Sequence, residues 1–88
     1  MAGKWELQQW ILEALEKRGG EAHWIELAKD IWQVHEQDLR ASGDFFYRWQ
    51  YDMGWAAQNL RDSGRLEKIG RSGTWALPSR SDQSPAAD

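Results

Sequence analysis

The sequence predicts a small α+β domain in which three helices are followed by a C-terminal β-hairpin. Three segments repeat their apolar residues at intervals of three and four, which is the period of an amphipathic helix. A fourth segment, residues 65–77, has short alternating stretches on either side of a glycine-rich turn, which is typical of a hairpin. With 88 residues, the chain has the length of one domain.

The first helix is predicted over about residues 5–18. Its apolar stripe consists of Leu7, Trp10, Ile11, Ala14 and Leu15. Lys17 and Arg18 suit the carboxyl end of a helix dipole, and the pair Gly19-Gly20 is a strong stop signal. Residues 21–24 then form a short extended connector with at most one bridge of sheet.

The second helix is predicted over about residues 25–36, and residues 37–43 are predicted to form a loop. Its stripe consists of Leu27, Ala28, Ile31, Trp32 and His35. Asp44 is then a suitable N-cap for a third helix that ends near Ser63, before Gly64.

A helical wheel divides the third helix into two faces. The core face is predicted to contain Trp49, Met53, Ala56 and Leu60. The opposite face contains Tyr47, Tyr51, Gly54, Gln58 and Asp62. Gly54 is unusual, because glycine inside a helix costs about 1 kcal/mol relative to alanine. It indicates a close approach or a slight bend.

The hairpin is predicted to consist of strands at 65–69 and 74–77, joined by Gly70-Arg71-Ser72-Gly73. Trp75 and Leu77 lie on one face of the second strand, and Pro78 ends it. We therefore expect one folded domain over residues 1–78. Residues 79–88 have no large apolar side chain, so we expect a disordered tail or linker there.

This order of elements predicts a winged helix-turn-helix: helix, short strand, helix, helix, strand, turn, strand. The third helix would be the recognition helix and the glycine-rich turn would be the wing. Seven Trp compensate for the small size of the core, since each large aromatic side chain buries about 150–250 Å². We expect Trp10, Trp32, Trp49 and Trp75 to build that core.

Several segments together resemble the amino-terminal winged-helix domain of Mrr-type restriction endonucleases. These are Gly19-Gly20-Glu21-Ala22, then residues 49–67 with Trp55-Ala56 and Leu60, and then the wing residues 70–77. The resemblance covers about residues 8–78 and implies DNA binding, within a restriction-like or modified-DNA-sensing system. The family often has a basic or polar residue where Asp52 and Gly54 stand here. Its nuclease domain has no counterpart in these residues, so cleavage activity is not implied.

Catalytic, metal and cofactor chemistry find no support in the sequence. There is no Cys, and the two histidines, His23 and His35, are twelve residues apart with no metal-ligand motif around them. The glycine-rich turn does not lead into a helix, as a phosphate-binding loop would. We therefore expect no enzymatic activity, no metal and no cofactor.

The location expected from the sequence is cytoplasmic. No apolar run is long enough to span a membrane, and the N-terminus lacks the apolar stretch of a signal peptide.

Charge is distributed unevenly along a chain whose net charge is −3. Residues 1–38 contain four basic and eight acidic residues, whereas residues 39–80 contain seven basic and four acidic residues. Such asymmetry can mark an interaction surface. It favours DNA as a partner of the C-terminal half, although Asp44, Asp52 and Asp62 oppose phosphate contact.

The predicted contact to double-stranded DNA combines the third helix with the wing. Tyr47, Arg48, Tyr51 and Gln58 supply base-edge chemistry, since Arg can pair with guanine and Gln with adenine. Arg61, Lys68, Arg71 and Ser72 would contact the DNA backbone.

Two alternatives remain open from the sequence. Tyr51 and Trp55 could form an aromatic pocket for a flipped or modified base. Alternatively, the chain could be a protein-interaction winged helix whose acidic first and second helices bind a partner.

Overall fold

The computed structural model describes residues 3–78, which form three α-helices and a three-stranded antiparallel sheet. The chain is therefore of the α+β class, as the sequence predicts. The elements are α1 (Lys4–Lys17), β1 (Glu21–His23), α2 (Trp24–Arg40), α3 (Trp49–Asp62), β2 (Glu67–Ile69) and β3 (Thr74–Ala76), with a 3-10 helix at Gly43–Tyr47. The predicted tail, residues 79–88, lies outside the described residues. None of the helices within residues 3–78 is long and apolar enough to cross a membrane.

Local signals set both ends of α1. The backbone N–H of Gly3 donates to Glu6 Oε1 at 2.9 Å and caps the start. At the other end, Gly19 and Gly20 both have positive φ, and the Gly20 N–H donates to the Leu15 carbonyl at 2.8 Å. Glycine adopts this backbone region without a steric penalty, so the predicted stop is confirmed.

The predicted loop at 37–43 is partly wrong, because α2 continues to Arg40. The helix is interrupted at His35, whose φ of −116° and ψ of 22° are not helical. The His35 ring stacks on Trp10, with ring centroids 3.9 Å apart. Leu39, in the final turn, is fully buried. These contacts with the rest of the molecule keep the chain helical beyond the point where the amphipathic pattern fades.

The predicted start of the third helix at Asp44 is also wrong. Residues Gly43–Tyr47 form a separate 3-10 helix, and α3 begins at Trp49. Gly43 has a φ of 65°, which breaks the path from α2, and Phe46 packs against Trp32 of α2 with ring centroids 6.0 Å apart. The predicted end is confirmed: Gly64 has a φ of 78°, and the Arg65 N–H donates to the Leu60 carbonyl at 2.8 Å.

The sheet has the order β1-β3-β2, with β3 in the centre. The predicted hairpin is confirmed, since β2 and β3 pair antiparallel with Lys68 opposite Trp75. The connector after α1 contributes more than the predicted single bridge: β1 pairs with β3 over three residues, with Ala22 opposite Trp75. Both outer strands thus adjoin Trp75.

The core lies between α1, α2, α3 and the central strand. Trp49, Met53, Ala56 and Leu60 are buried, which confirms the predicted core face of α3. Three of the four tryptophans expected in the core are buried, namely Trp10, Trp49 and Trp75, whereas Trp32 is only partly buried.

An ion pair joins the end of α1 to α2. Arg18 Nη2 donates to Asp30 Oδ1 at 3.0 Å, and Arg18 Nε donates to the other carboxylate oxygen. The hydrogen bond from Arg18 holds the pKa of Asp30 below its ordinary value, and the same bond raises the pKa of Arg18.

Candidate nucleic-acid interface

A groove of about 380 Å³ separates α3 from the β2–β3 hairpin. Residues of α3 and of the hairpin line it, together with Trp24, the first residue of α2. The groove is lined by Trp24, Gln50, Tyr51, Met53, Gly54, Lys68, Gly70, Arg71, Gly73, Thr74 and Trp75. We refer to this feature as the α3–hairpin groove.

The hairpin is held next to α3 by contacts with the junction of β1 and α2. The Trp24 N–H donates to the Gly73 carbonyl at 3.0 Å. Gly73 has a φ of 87°, and a Cβ there would lie 2.9 Å from His23 Nε2 and 3.0 Å from Trp24 Cδ1. Only glycine therefore fits this turn position without a shift of its neighbours.

His23 has a structural role at the same junction. Its Nδ1 accepts a hydrogen bond from the Ile25 N–H at 3.1 Å and so caps α2.

The register of the hairpin brings positive charge to the groove. Lys68 and Trp75 are directly opposite each other on β2 and β3, so their side chains leave the same face of the sheet. Arg71 lies in the connecting turn and also lines the groove. Among the described residues of the lining, none is Asp or Glu.

Three of the predicted DNA-binding residues line the groove: Tyr51, Lys68 and Arg71. Tyr51 is 84% exposed and Arg71 is also exposed, so both are accessible to a ligand. Ser72, another predicted contact, lies in the turn with its hydroxyl 3.0 Å from Thr74 Oγ1. The exposed hydroxyl pair extends the polar surface of the turn.

Arg48 forms an ion pair with Asp52, a carboxylate that was expected from the sequence to oppose phosphate contact. Asp52 is only 5% exposed, and its Oδ2 lies 3.4 Å from Arg48 Nε. Burial keeps this carboxylate out of direct contact with a ligand, although its charge still acts on the neighbouring surface. The expectation that Asp52 opposes phosphate contact stays a prediction. Arg48 itself remains exposed.

Gln58 and Arg61 lie farther along α3 and are joined by hydrogen bonds. Gln58 Nε2 donates to Asp62 Oδ1 at 2.9 Å, and Arg61 Nη1 donates to Gln58 Oε1 at 3.3 Å. All three side chains are exposed. A ligand at this end of α3 would have to exchange these hydrogen bonds for its own.

The other two predicted aromatic contacts lie away from the groove. Tyr47, in the 3-10 helix, is 85% exposed and packs edge-on against Phe46. Trp55 is half-buried and packs edge-to-face against Trp5 of α1, with ring centroids 5.1 Å apart. Within the described residues, the lining of the α3–hairpin groove includes Tyr51 and not Trp55.

Two residues of the groove, Trp24 and Gln50, were not expected from the sequence to belong to a site, whereas Gly54 was expected to mark a close approach or a slight bend. Gln50 and Tyr51 precede Gly54 by four and three residues, the spacing that places side chains on one helix face. That spacing could have indicated a shared surface. No local signal could have indicated Trp24, because only the β1–β3 pairing brings it to the hairpin.

Groups with catalytic or metal-binding potential are sparse in the described part of the chain. No set of three or more His, Cys, Asp or Glu side chains within residues 3–78 could hold a metal ion. His35 lies between two carboxylates, 3.7 Å from Glu13 and 3.7 Å from Asp38, with its ring on Trp10. The α3–hairpin groove is thus the candidate binding site.

Comparison of the chain with protein-family models, with curated proteins and with solved structures finds no match in any of the three.

Proposed function

We propose that this chain is a winged-helix module that binds double-stranded DNA, with α3 as the recognition helix and the hairpin as the wing. The observation that carries the proposal is the charge of the α3–hairpin groove. Lys68 and Arg71 line it, and its described lining contains no carboxylate, although the whole chain has a net charge of −3. A local concentration of positive charge is what contact with DNA phosphates requires.

The backbone contacts come from the hairpin and the end of α3. Lys68 and Arg71 neutralise phosphates, the Ser72 hydroxyl donates to one, and Arg61 reaches another from α3. With about three to five phosphates neutralised, the affinity depends only moderately on salt.

The base contacts come from the exposed face of α3 and the residue before it. Arg48, Tyr51 and Gln58 enter the major groove, together with Tyr47 from the 3-10 helix. Arg48 and Gln58 exchange their hydrogen-bonding partners within the protein for base edges, which is feasible because both side chains are exposed.

The resemblance to Mrr-type amino-terminal domains suggests the setting of this binding. We propose that the module directs a restriction-like or modified-DNA-sensing system to DNA and has no catalytic activity of its own. The residues that would carry this resemblance include the wing and the carboxyl half of α3, which also supply the proposed DNA contacts.

A salt titration with matched variants tests the proposal. Arg71→Ala and Lys68→Ala should each weaken binding equally on two unrelated duplex sequences, because phosphate contacts carry no sequence information. Each should also reduce the magnitude of the log–log salt slope by about 0.9. Fluorescence anisotropy with labelled duplexes measures both quantities.

The control variant is Lys29→Ala, which removes one positive charge from the exposed surface of α2, outside the groove. It should leave the salt slope unchanged. Undetectable binding of the unaltered chain at about 50 mM salt and high micromolar protein contradicts the proposal.

That negative result would favour the protein-interaction alternative. The observation behind this alternative is the charge of the first two helices, since residues 1–38 contain four basic and eight acidic residues. An acidic surface of this kind is complementary to a basic protein partner.

A further inference from the structure

Gly54 lines the α3–hairpin groove and leaves open space above its backbone. It lies in the interior of α3, is exposed, and a Cβ at this position would meet nothing within 4 Å among the described residues. Neither close packing within the chain nor a positive φ therefore requires glycine here. A glycine here leaves the helix backbone open to a ligand, and close approach of a ligand is one of the uses of glycine.

The surfaces around Gly54 combine aromatic rings with positive charge. Tyr51 is highly exposed and Trp24 is 38% exposed, while Met53 and Trp75, which also line the groove, are buried. Lys68 and Arg71 supply the charge from the hairpin side. Flat aromatic surfaces bind planar rings by stacking, and Lys and Arg bind phosphate oxygens.

The size of the groove limits the occupant. At about 380 Å³ it lies at the lower end of the range for small-ligand sites, which is about 300–1,000 Å³. It is open on one side, so a ligand that remains attached to a longer chain can enter it.

We infer that the α3–hairpin groove binds a single nucleotide whose base has left the helical stack. The base lies over the Gly54 backbone against Tyr51 and Trp24, and its phosphate lies between Lys68 and Arg71. This inference rests on the proposed function, because it specifies what the DNA-binding surface recognises: an unpaired or extruded nucleotide within DNA. A base that is mismatched or already unpaired is the easiest to extrude.

An acidic peptide would satisfy Lys68 and Arg71 as well as a phosphate does. The aromatic surface favours a nucleotide over an acidic peptide, because every base has a flat π-face that can stack on aromatic side chains. The open backbone at Gly54 favours it as well, since a flat ring can lie directly on a helix surface that has no side chain.

The test compares the full 88-residue chain on two DNA hairpins that differ by one unpaired nucleotide. The unpaired position carries 2-aminopurine, whose fluorescence falls when the base stacks on an aromatic ring. We expect the unaltered protein to bind the hairpin with the unpaired nucleotide about tenfold more tightly than the fully paired one, with quenching.

Gly54→Leu places a large side chain in the groove, and the open space around Gly54 can accommodate it without disturbing the fold. Gly54→Ala is the matched control. We expect Gly54→Leu to abolish the tenfold preference and the quenching, so that the ratio of the two affinities falls to about one whatever happens to the affinity for the paired hairpin. Gly54→Ala should retain most of the preference. Circular dichroism and tryptophan fluorescence verify that both variants are folded.

The outcomes separate this inference from the proposed function. Equal affinity for both hairpins, or an equal loss on both with Gly54→Leu, overturns the nucleotide site and leaves duplex binding in place. If the unaltered protein binds only the hairpin with the unpaired nucleotide, and Gly54→Leu loses this binding, the result supports the nucleotide site and contradicts duplex binding. Binding of a Glu-rich peptide with no binding of either DNA overturns both.

Discussion

Two glycines show how backbone conformation and open space decide the effect of a single residue. Gly54 lies in the interior of α3, whereas Gly64 follows the end of α3 with a φ of 78°. A Cβ would meet nothing within 4 Å at either position among the described residues. The pair therefore differs in backbone conformation and not in packing.

Alanine at these two glycines should have opposite effects on stability. Gly54→Ala should raise the free energy of unfolding by about 0.5–1 kcal/mol, because alanine restricts the unfolded chain and fits the helix. Gly64→Ala should lower it by about 1 kcal/mol, because alanine is strained in the left-handed region. Urea denaturation followed by tryptophan fluorescence measures both. Destabilisation by Gly54→Ala would contradict the open space above α3.

At the scale of elements, the position of the hairpin depends on one turn residue. Gly73 packs against His23 and Trp24, whereas Gly70, at the other end of the same turn, has open space around it. Both have positive φ, at 87° and 61°. Alanine would therefore be strained in the backbone at both positions, and only at Gly73 would its Cβ also meet close neighbours.

Alanine at Gly73 should destabilise the protein more than alanine at Gly70. Gly70→Ala carries only the backbone strain of about 1 kcal/mol. Gly73→Ala adds overpacking against His23 and Trp24, which costs about 1–3 kcal/mol more. Denaturation midpoints of the two variants measure the difference. Equal midpoints would show that the hairpin is not held at the β1–α2 junction.

The limits of α2 and α3 also belong to this scale. The amphipathic pattern placed both helices correctly but erred at the segment between them, residues 37–48. There Leu39 is fully buried and Phe46 packs against Trp32. Such contacts depend on where the neighbouring elements lie, which helical periodicity does not describe.

At the scale of the whole molecule, the Arg18–Asp30 pair connects the end of α1 to α2 and links stability to pH. Because folding lowers the pKa of Asp30, the unfolded chain binds its proton more readily than the folded chain does. The stabilisation is therefore present above the unfolded pKa of about 3.9 and is lost as the pH falls through the folded pKa.

Asp30→Asn should destabilise the protein at pH 7, and the difference from the unaltered protein should shrink as the pH falls below about 4. Arg18→Met should behave in the same way, and the double variant should be little worse than either single one. Thermal denaturation at several pH values measures this. A difference that is constant between pH 7 and pH 3 would contradict the role of the pair.

The sequence by itself determined the α+β class, the core face of α3, the stops at Gly19-Gly20 and Gly64, and the hairpin. These features follow from periodicity and from glycine conformations, which are properties of short stretches of chain. It also predicted Tyr51, Lys68 and Arg71 as contact residues from their types and their positions in the elements, and all three line the α3–hairpin groove.

Only the tertiary structure decided the rest of the candidate site. Pairing of β1 with β3 brings Trp24 to the hairpin, and the packing of α3 against the rest of the molecule buries Asp52. The groove lining includes Tyr51 and not Trp55, whose ring packs against Trp5 of α1. Each of these outcomes depends on contacts between residues far apart in the chain, and such contacts leave no periodic signal in the sequence.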